Sequence, residues 1–359
     1  MRKIALSFSL FLLFGHVAHS QGCVVVRNIA GFGQYNLIDR SFTASDWQIS
    51  LTNRYFEAKD NYSGSGQLVV PLANQTFLTS YTFDAGITRF LPNGWSISAS
   101  IPFSANSRQN ASEHGGNGTP KHTTHSFGLN DIRVTVYKWL LPTTTVQKFN
   151  VQLGLGIKFA TGDYKYQDFF YKNDTTPVLA PVNLTLQLGD GGTGIVSELN
   201  MFYVFNRTFS LYGNFYYMAN PRDQNGVSPL FGNVPTALQI KTFSTVTSVP
   251  DSYSWRVGGS AIVKKWIFSA GVRTEGVPVY DILGKSDGIR RAGYNMSFEP
   301  GALFNLKKVS FYAYVPWYFK HEMYQVVPDK LASGYLGKYI ATTGGTGNWM
   351  VIVGMLFKL

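Results

Sequence analysis

Three histidines lie close together in this chain: His114, His122 and His125, with Glu113 and Lys121 beside them. Imidazole nitrogens are ligands for zinc and nickel, so such a group could form a metal site. The surrounding residues are mainly Gly, Ser, Thr and Asn, which is the composition of a solvated loop. We therefore favour a polar loop, with a metal site as the alternative.

Other residue patterns that could support catalysis are incomplete. Asp163, Asp168 and Asp190 could bind calcium, but their spacing does not match a calcium-binding loop. Gly284-Lys285-Ser286 resembles the end of a phosphate-binding loop, but Val279 stands where the first glycine belongs. No predicted strand carries a histidine that could serve a nucleophilic serine. We therefore expect neither enzymatic activity nor a cofactor.

A larger set of charged and polar residues shares one face of the predicted strands. Side chains of a β-strand alternate between two faces, and the opposite face of each strand is apolar. The polar face is expected to line the inside of a barrel, where Arg273 and Glu275 point the same way and are expected to pair. The predicted channel-lining residues are Arg54, Asp84, Arg133, Lys158, Glu198, Asn200, Arg256, Arg273, Glu275 and Glu299.

Glycines are also concentrated on this polar face. Gly154, Gly156, Gly258 and Gly271 are examples. A glycine leaves room for another group to approach. The prediction is a narrow, open or loosely plugged passage, with a static polar core as the alternative. The inward tyrosines expected to narrow the passage are Tyr212, Tyr216, Tyr312 and Tyr314.

The elements that carry these residues are strands of alternating polarity. Each has about the 9–11 residues that a tilted strand needs to cross a bilayer. No later stretch has the length and continuous apolarity of a transmembrane helix. The predicted strands, about twelve, lie at 47–57, 75–89, 95–103, 127–139, 149–159, 194–205, 209–219, 253–263, 266–275, 294–305, 309–317 and 349–359.

Short and long connections alternate along the whole series. Tight turns such as Pro92-Asn93-Gly94 and Lys264-Lys265 alternate with long polar segments such as 160–193 and 318–348. All short turns should therefore lie at one end of the sheet and all long loops at the other. Bacterial outer-membrane barrels have this layout, with short periplasmic turns and long external loops.

The tryptophans provide a second test of this interpretation. Each lies near the end of a predicted strand, and most lie on the apolar face. Amphipathic aromatic rings form girdles at both water–lipid boundaries of such barrels. The residues concerned are Trp47, Trp95, Trp139, Trp255, Trp266, Trp317 and Trp349.

The overall composition excludes several classes of protein. Among 359 residues there are 31 Lys and Arg against 20 Asp and Glu, a net charge of +11, and 15% of the residues are aromatic. Many aromatic residues with few charges argue against disorder, and a single cysteine excludes a disulfide scaffold. The basic residues are spread over turns and loops, so we expect contact with lipid head groups or anionic solutes and no nucleic acid.

The N-terminus has the features of a secretory signal peptide. Arg2 and Lys3 precede an apolar stretch from 4 to 14, which is too short to span a bilayer. Ala18-His19-Ser20 matches a cleavage site. Residues 1–20 are therefore predicted to be removed.

The remainder of the chain is predicted to form one domain. Residues 21–46 are interpreted as an N-terminal periplasmic or plug segment, with acylation of Cys23 as a further alternative. Residues 47–359 are predicted to form the outer-membrane β-barrel.

Several short segments resemble a known family, in the same order along residues 75–359. They are Gly128-Leu129-Asn130-Asp131, the segment 158–164 (KFATGDY), the segment 186–192 (LQLGDGG) and Glu299-Pro300-Gly301. The chain is similar to the outer-membrane transporter-like family named for the MetA pathway of phenol degradation. That family is distantly similar to long-chain fatty acid and aromatic hydrocarbon channels.

The resemblance implies an outer-membrane barrel that takes up small, often hydrophobic molecules. Two positions depart from the family pattern: Asn130 replaces a glycine and Ala160 replaces a proline. No binding residue is carried over from the family.

The resulting prediction is an all-β protein, a transmembrane antiparallel up-and-down barrel in the outer membrane of a Gram-negative bacterium. We expect a passive channel or transporter for small molecules, hydrophobic or anionic. The alternative is a non-conducting surface or structural barrel whose loops bind a partner. Expected partners are outer-membrane lipid, a small-molecule solute and, during biogenesis, the barrel assembly machinery.

Overall fold

The computed structural model describes most of the chain beyond the N-terminus. Almost all of the expected signal peptide, 1–20, and of the expected periplasmic or plug segment, 21–46, lies outside the described residues, and so does Cys23. The described residues are 20–22, 46–68, 75–110, 113–114, 122–142, 148–173 and 175–359.

The described residues form mainly strands, with two short helices. The strands are β1 (Ser20–Gly22), β2 (Trp47–Ala58), β3 (Asp60–Ser63), β4 (Gly66–Leu68), β5 (Phe77–Phe90), β6 (Trp95–Gln109), β7 (Thr123–Leu129), β8 (Arg133–Trp139), β9 (Phe149–Lys158), β10 (Gln167–Tyr171), β11 (Pro177–Pro181), β12 (Gly194–Val204), β13 (Phe209–Ala219), β14 (Ser252–Val263), β15 (Trp266–Pro278), β16 (Ala292–Asn305), β17 (Val309–Tyr314), β18 (Trp317–Met323), β19 (Gly344–Thr346) and β20 (Met350–Lys358). The helices are α1 (Ala237–Lys241) and α2 (Val327–Leu336).

Twelve antiparallel strands close into a barrel. Each pairs with the next along the chain, and β2 pairs with β20 to complete the circle. Two of the twelve are interrupted: β7 and β8 form one barrel strand, and β17 and β18 form another. The expected fold class, the strand number and the up-and-down connectivity are confirmed.

Prolines account for both interruptions. Pro102 of β6 lies opposite the gap between β7 and β8, and its carbonyl accepts a hydrogen bond from the Asn130 N–H at 2.8 Å. Pro316 lies between β17 and β18. Proline has no N–H to donate to a sheet, so regular pairing stops at such positions.

The two faces of the barrel wall differ in polarity as the alternation predicts. On β9, the side chain of Leu153 faces outward and is 47% exposed, whereas that of Gln152 faces inward and is 2% exposed. An apolar outer face without competing charge is the surface that lipid requires. Among the described residues, no helix is both long and apolar enough to cross a bilayer.

The tryptophans form two girdles, as expected. Trp47, Trp95, Trp139 and Trp266 lie at the strand ends joined by short turns. The other three, at the opposite rim, are Trp255, Trp317 and Trp349. All are on the outer face except Trp139, which lies opposite the inward Gln152 and contacts Phe202.

The long loops all extend from one rim and build a roof over the barrel mouth. β3, β4 and β19 form a small sheet, and β10 pairs with β11 as a hairpin. Val182 and Leu186, just after β11, are buried in the same apolar cluster as Phe56 and Met350 of the barrel wall. The loop after β11 therefore inserts into the mouth.

A cation on the outer face should be tolerated near the rim of the barrel but not near the bilayer midplane. We expect Leu153→Arg, at mid-strand, to impair insertion, because a midplane cation costs about 2–4 kcal/mol. Phe149→Arg, on the same face at the rim of β9, should cost about 0–1 kcal/mol. Heat-modifiable migration of the barrel on gels measures the difference. Equal damage at both positions would contradict the assigned lipid face.

Candidate solute pathway

All ten predicted lining residues lie on the inner face of the barrel wall. Nine of them are at most 5% exposed, and Asp84 is partly buried. They come from eight barrel strands and meet because the wall closes, which brings residues distant in sequence into one interior. Together they form two connected groups of charges at mid-height and a third near the outer mouth.

The first group is a chain of ion pairs across β14, β15 and β16. The Arg256 guanidinium donates to Glu299 at 2.9 Å, and Arg273 donates to the other oxygen of Glu299 at 3.2 Å. Arg273 also donates to Glu275 at 2.8 Å, so the expected pair is confirmed. Tyr318 donates to the second oxygen of Glu275 at 2.6 Å. Each carboxylate therefore serves two donors.

The second group consists of three further contacts around the barrel wall. Arg54 donates to Thr82 at 3.2 Å, and Ser100 donates to Asp84 at 2.7 Å. The Arg133 guanidinium lies 5.6 Å from the centre of the Tyr216 ring. The group therefore reaches from β2 through β5 and β8 to β13.

Glu198 of β12 belongs to the same group and shares its site with two tyrosines. Tyr137 donates to one of its carboxylate oxygens at 3.0 Å, and Tyr216 lies directly across the β12–β13 pair from it. Among the described residues, Glu198 Oε1, Arg133 Nη1 and Tyr216 Oη have no hydrogen-bond partner. This part of the interior therefore keeps polar atoms that a small molecule could reach if a neighbouring side chain moved.

These two groups form a belt in which the charges balance. The belt comprises four arginines and four acidic residues: Arg54, Arg133, Arg256, Arg273, Asp84, Glu198, Glu275 and Glu299. A buried charge is tolerated when a counter-charge and hydrogen bonds compensate it. A balanced belt places no net charge in the path of a solute.

The glycines of the inner face do not leave the interior open as predicted. A Cβ added to Gly154 would lie 2.7 Å from the Tyr137 ring, and one added to Gly258 would lie 2.5 Å from the Tyr212 hydroxyl. Gly156 instead faces Thr135 and the Val134 carbonyl, both at 2.5 Å. Gly271 also faces Tyr212. The expectation of open space at these positions is wrong, because the side chains of Tyr137 and Tyr212 occupy the space beside them.

Above the belt, the barrel opens into an outer cavity. Its volume is about 120 Å³. Met218, Ser252 and Val277 of the barrel strands form its floor, and loop residues such as Leu188 and Ile289 form its walls. A mostly apolar lining with a few polar groups is typical of sites that bind small ligands.

Charged groups around the outer cavity are held by partners. Lys158 donates to Asp131 at 3.2 Å and also contacts Asp190. Arg290 forms a two-pronged ion pair with Asp281, at 2.7 and 2.6 Å. Asp131 was not predicted as a site residue and Asp190 was considered only for calcium, although both stand in the segments that carry the family resemblance.

A further carboxylate ties the roof loops together. Asp251 accepts from the backbone N–H groups of Asn220 and Ile282, at 2.7 and 2.9 Å, and from the Tyr217 hydroxyl at 2.7 Å. Burial raises the pKa of Asp251 above its ordinary value, against the opposing effect of these hydrogen bonds. The roof of the outer cavity is thus anchored to β13.

Below the belt lies a second, inner cavity. Its volume is about 40 Å³, and it lies on the side of the belt towards the short turns. Its lining includes Tyr212, Arg256, Leu303 and Tyr314. Because Arg256 also belongs to the belt, the belt separates the inner cavity from the outer one.

The histidines do not gather into a three-histidine site. His114 stacks on Phe170 with ring centres 5.3 Å apart, and His122 stacks on Tyr171 at 4.0 Å. His125 lies on β7 with its side chain exposed. Within the described parts of the chain, no three His, Cys, Asp or Glu side chains are arranged to hold a metal.

The acidic residues considered for calcium are also apart. Asp190 contacts Lys158, Asp168 accepts from the His125 N–H at 2.7 Å, and Asp163 accepts from the Lys165 N–H at 3.0 Å. The sequence alternative of a metal site in these loops therefore has no support in the described residues.

Two tyrosines of the interior were not predicted from the sequence: Tyr137 and Tyr318. Tyr137 lies directly opposite Gly154 in the β8–β9 pair. The alternation and the turn lengths could have revealed this pair from the sequence, because together they place an inward tyrosine opposite a glycine of the neighbouring strand. Tyr318 has the same parity as the inward Tyr312 and Tyr314, but it lies one residue beyond the predicted strand 309–317.

Comparison with solved structures supports the fold. No family model and no curated protein matches the sequence. An outer membrane channel from Pseudomonas putida F1 matches with a TM-score of 0.59 at 10% identity, over 89% of this chain and 97% of that chain. The shared fold agrees with the expected outer-membrane location.

Two further structures are more distant. The Ralstonia pickettii toluene transporter TbuX has a TM-score of 0.41 at 10% identity, over 90% of this chain and 93% of that one. A Pseudomonas aeruginosa FadL homologue has a TM-score of 0.41 at 11% identity, over 89% and 91%.

The tyrosine-covered glycines should be sensitive to one added methyl group. Gly258→Ala would press on the Tyr212 hydroxyl and on the Ala270 carbonyl, both 2.5 Å from the new Cβ. We expect it to lower the free energy of unfolding by about 1–3 kcal/mol.

Gly259→Ala is the matched control on the outer face of the same strand, where the nearest atom is 3.7 Å away. Urea unfolding of both variants in detergent gives the comparison. Equal stability of Gly258→Ala and Gly259→Ala would contradict the close contact between Gly258 and Tyr212.

The packing of His114 on Phe170 should weaken in acid. Burial, followed by the charge of His122, lowers the pKa of His114, while the nearby Glu113 and Asp168 oppose this and Lys172 adds to it. A lowered pKa means that His114 binds a proton more tightly when this packing is lost than when it is intact. The packing is therefore complete above about pH 6.5 and is lost as the pH falls below it.

We expect limited proteolysis of the external loops to become faster between pH 7.5 and pH 5. His114→Phe should remove most of this dependence, and His125→Phe, at the exposed position, should keep it. A dependence that survives His114→Phe would assign the effect to another group.

Proposed function

We propose that this protein is a passive outer-membrane channel for small molecules, and that the ten predicted lining residues border its pathway. The observation that carries the proposal is the pair of cavities on either side of the belt, inside one closed barrel. Two cavities in one lumen need only a small opening between them to connect the two sides of the membrane.

The lining of the outer cavity supports small, largely apolar solutes. Leu184, Leu188, Pro250 and Ile289 contribute side chains to it. The fold is shared with an outer membrane channel from Pseudomonas putida F1, which is consistent with the proposal. We also propose contacts with outer-membrane lipid along the apolar exterior, and with the barrel assembly machinery during biogenesis.

One observation favours the alternative of a non-conducting surface barrel. The belt is closely packed, and eight-stranded barrels with filled interiors do not conduct, whereas those of 16–18 strands hold a water channel. Twelve strands lie between these cases, so side-chain packing decides the outcome. A flux measurement therefore distinguishes the two functions.

Opening the belt should raise the flux. Tyr216 is fully buried between Glu198 and Arg133, so Tyr216→Ala would remove a ring from the barrier without removing a charge. We expect swelling of liposomes in a small neutral solute to become several-fold faster.

Phe215→Ala is the control, since Phe215 is adjacent but faces lipid with 42% of its surface exposed. It should leave the rate unchanged. If neither the unmodified protein nor Tyr216→Ala conducts any solute, the channel is excluded and the surface-protein function takes its place.

A further inference from the structure

The chemistry of the outer cavity restricts the kind of solute that it binds, if the proposed channel function holds. Three basic and three acidic side chains line it: Lys158, Arg290, Arg291, Asp131, Asp190 and Asp251. The lining therefore has no excess of positive charge with which to attract an anion.

The existing ion pairs would also resist an anionic ligand. Lys158 lies between Asp131 and Asp190, and Arg290 is occupied on two nitrogens by Asp281. Arg291, at the edge, donates to the Thr343 carbonyl at 3.1 Å. A bound carboxylate would have to displace an aspartate or lie beside several of them, and a buried charge without a partner is costly.

Arg290 Nε also has no hydrogen-bond partner among the described residues, but Asp281 already compensates the charge of this guanidinium. Neutral polar groups of the lining are left with unused hydrogen-bonding capacity as well. Thr247 Oγ1, Ser248 Oγ and Asn130 Oδ1 have no hydrogen-bond partner among the described residues. All three residues are at most 4% exposed and line the outer cavity. Leaving buried polar atoms unsatisfied is costly, so a ligand that satisfies them gains affinity.

The types of these groups indicate the ligand group that matches them. A threonine or serine hydroxyl both donates and accepts, whereas an asparagine carbonyl oxygen only accepts. A ligand hydroxyl can donate to the carbonyl and exchange hydrogen bonds with the hydroxyls. A carboxylate or a ketone has no proton to give, and a hydrocarbon satisfies none of the three.

We propose that the outer cavity binds an uncharged apolar molecule that carries a hydroxyl group. The apolar body lies against Leu188, Met218, Val277 and Ile289, and the hydroxyl contacts Thr247 and Ser248. This extends the proposed channel function by naming its solute class.

Three probes with the same ring test the proposal: cyclohexanol, cyclohexanecarboxylate and methylcyclohexane. Binding is measured by equilibrium dialysis with the protein in lipid nanodiscs, and empty nanodiscs give the correction for partition into lipid. We expect cyclohexanol to bind about tenfold more tightly than either of the others, which corresponds to about one hydrogen bond.

The paired substitution Thr247→Val with Ser248→Ala should remove this preference. Cyclohexanol should then bind about as weakly as methylcyclohexane, whose affinity stays unchanged and so reports that the cavity is still folded. Thr176→Val, on the exposed turn between β10 and β11, should keep the full preference.

Equal or tighter binding of cyclohexanecarboxylate, or no preference for cyclohexanol over methylcyclohexane, would overturn the proposal. Liposome flux is measured separately on the same preparations. A preference for cyclohexanol without flux supports the binding site and rejects the channel, whereas flux without the preference rejects the binding site alone.

Discussion

The structure depends on one constraint. Because the outer face of the barrel wall contacts lipid, charged side chains can lie only on its inner face. Because side chains alternate along each strand, every second one points into the interior of the twelve-stranded barrel. That interior has too little room to hydrate each charge separately. The ion pairs from Arg256 through Glu299 and Arg273 to Glu275 satisfy that constraint. Removing one partner of such a buried pair typically costs about 3–5 kcal/mol, so the members of the belt stabilise one another.

The same constraint explains what could be predicted from the sequence. Contact with lipid requires an apolar outer face, so apolar and polar residues alternate regularly along β9 and β12. This alternation identifies the strands and shows which side chains point outward. Turn lengths then assign the two rims, and the tryptophans agree. The interrupted strands were predicted as single strands, because alternation on either side of Pro316 conceals the break in pairing.

The interior was predicted less completely, because contacts across the lumen result from closure and not from any one strand. Each lining residue was placed on the correct face, yet the glycines were interpreted as open space when tyrosines fill it. The outer cavity has the same origin. Asp131, Lys158 and Asp190 come from three of the segments that carry the family resemblance, and only the folded chain shows that they meet in one ion-pair cluster.

A solute that crosses this lumen must pass the belt without breaking it. On the side of β14 to β16, Arg273, Glu275 and Glu299 are each fixed by two or more hydrogen bonds, and Arg256 is bound to Glu299. Tyr216 and Glu198, by contrast, retain atoms without partners among the described residues. Moving a neutral ring costs less than separating buried charges, since no ion is left uncompensated. Passage is therefore expected along the side of the lumen lined by β8, β12 and β13. An uncharged solute is favoured on that route for the same reason as in the outer cavity, because it leaves every ion pair in place.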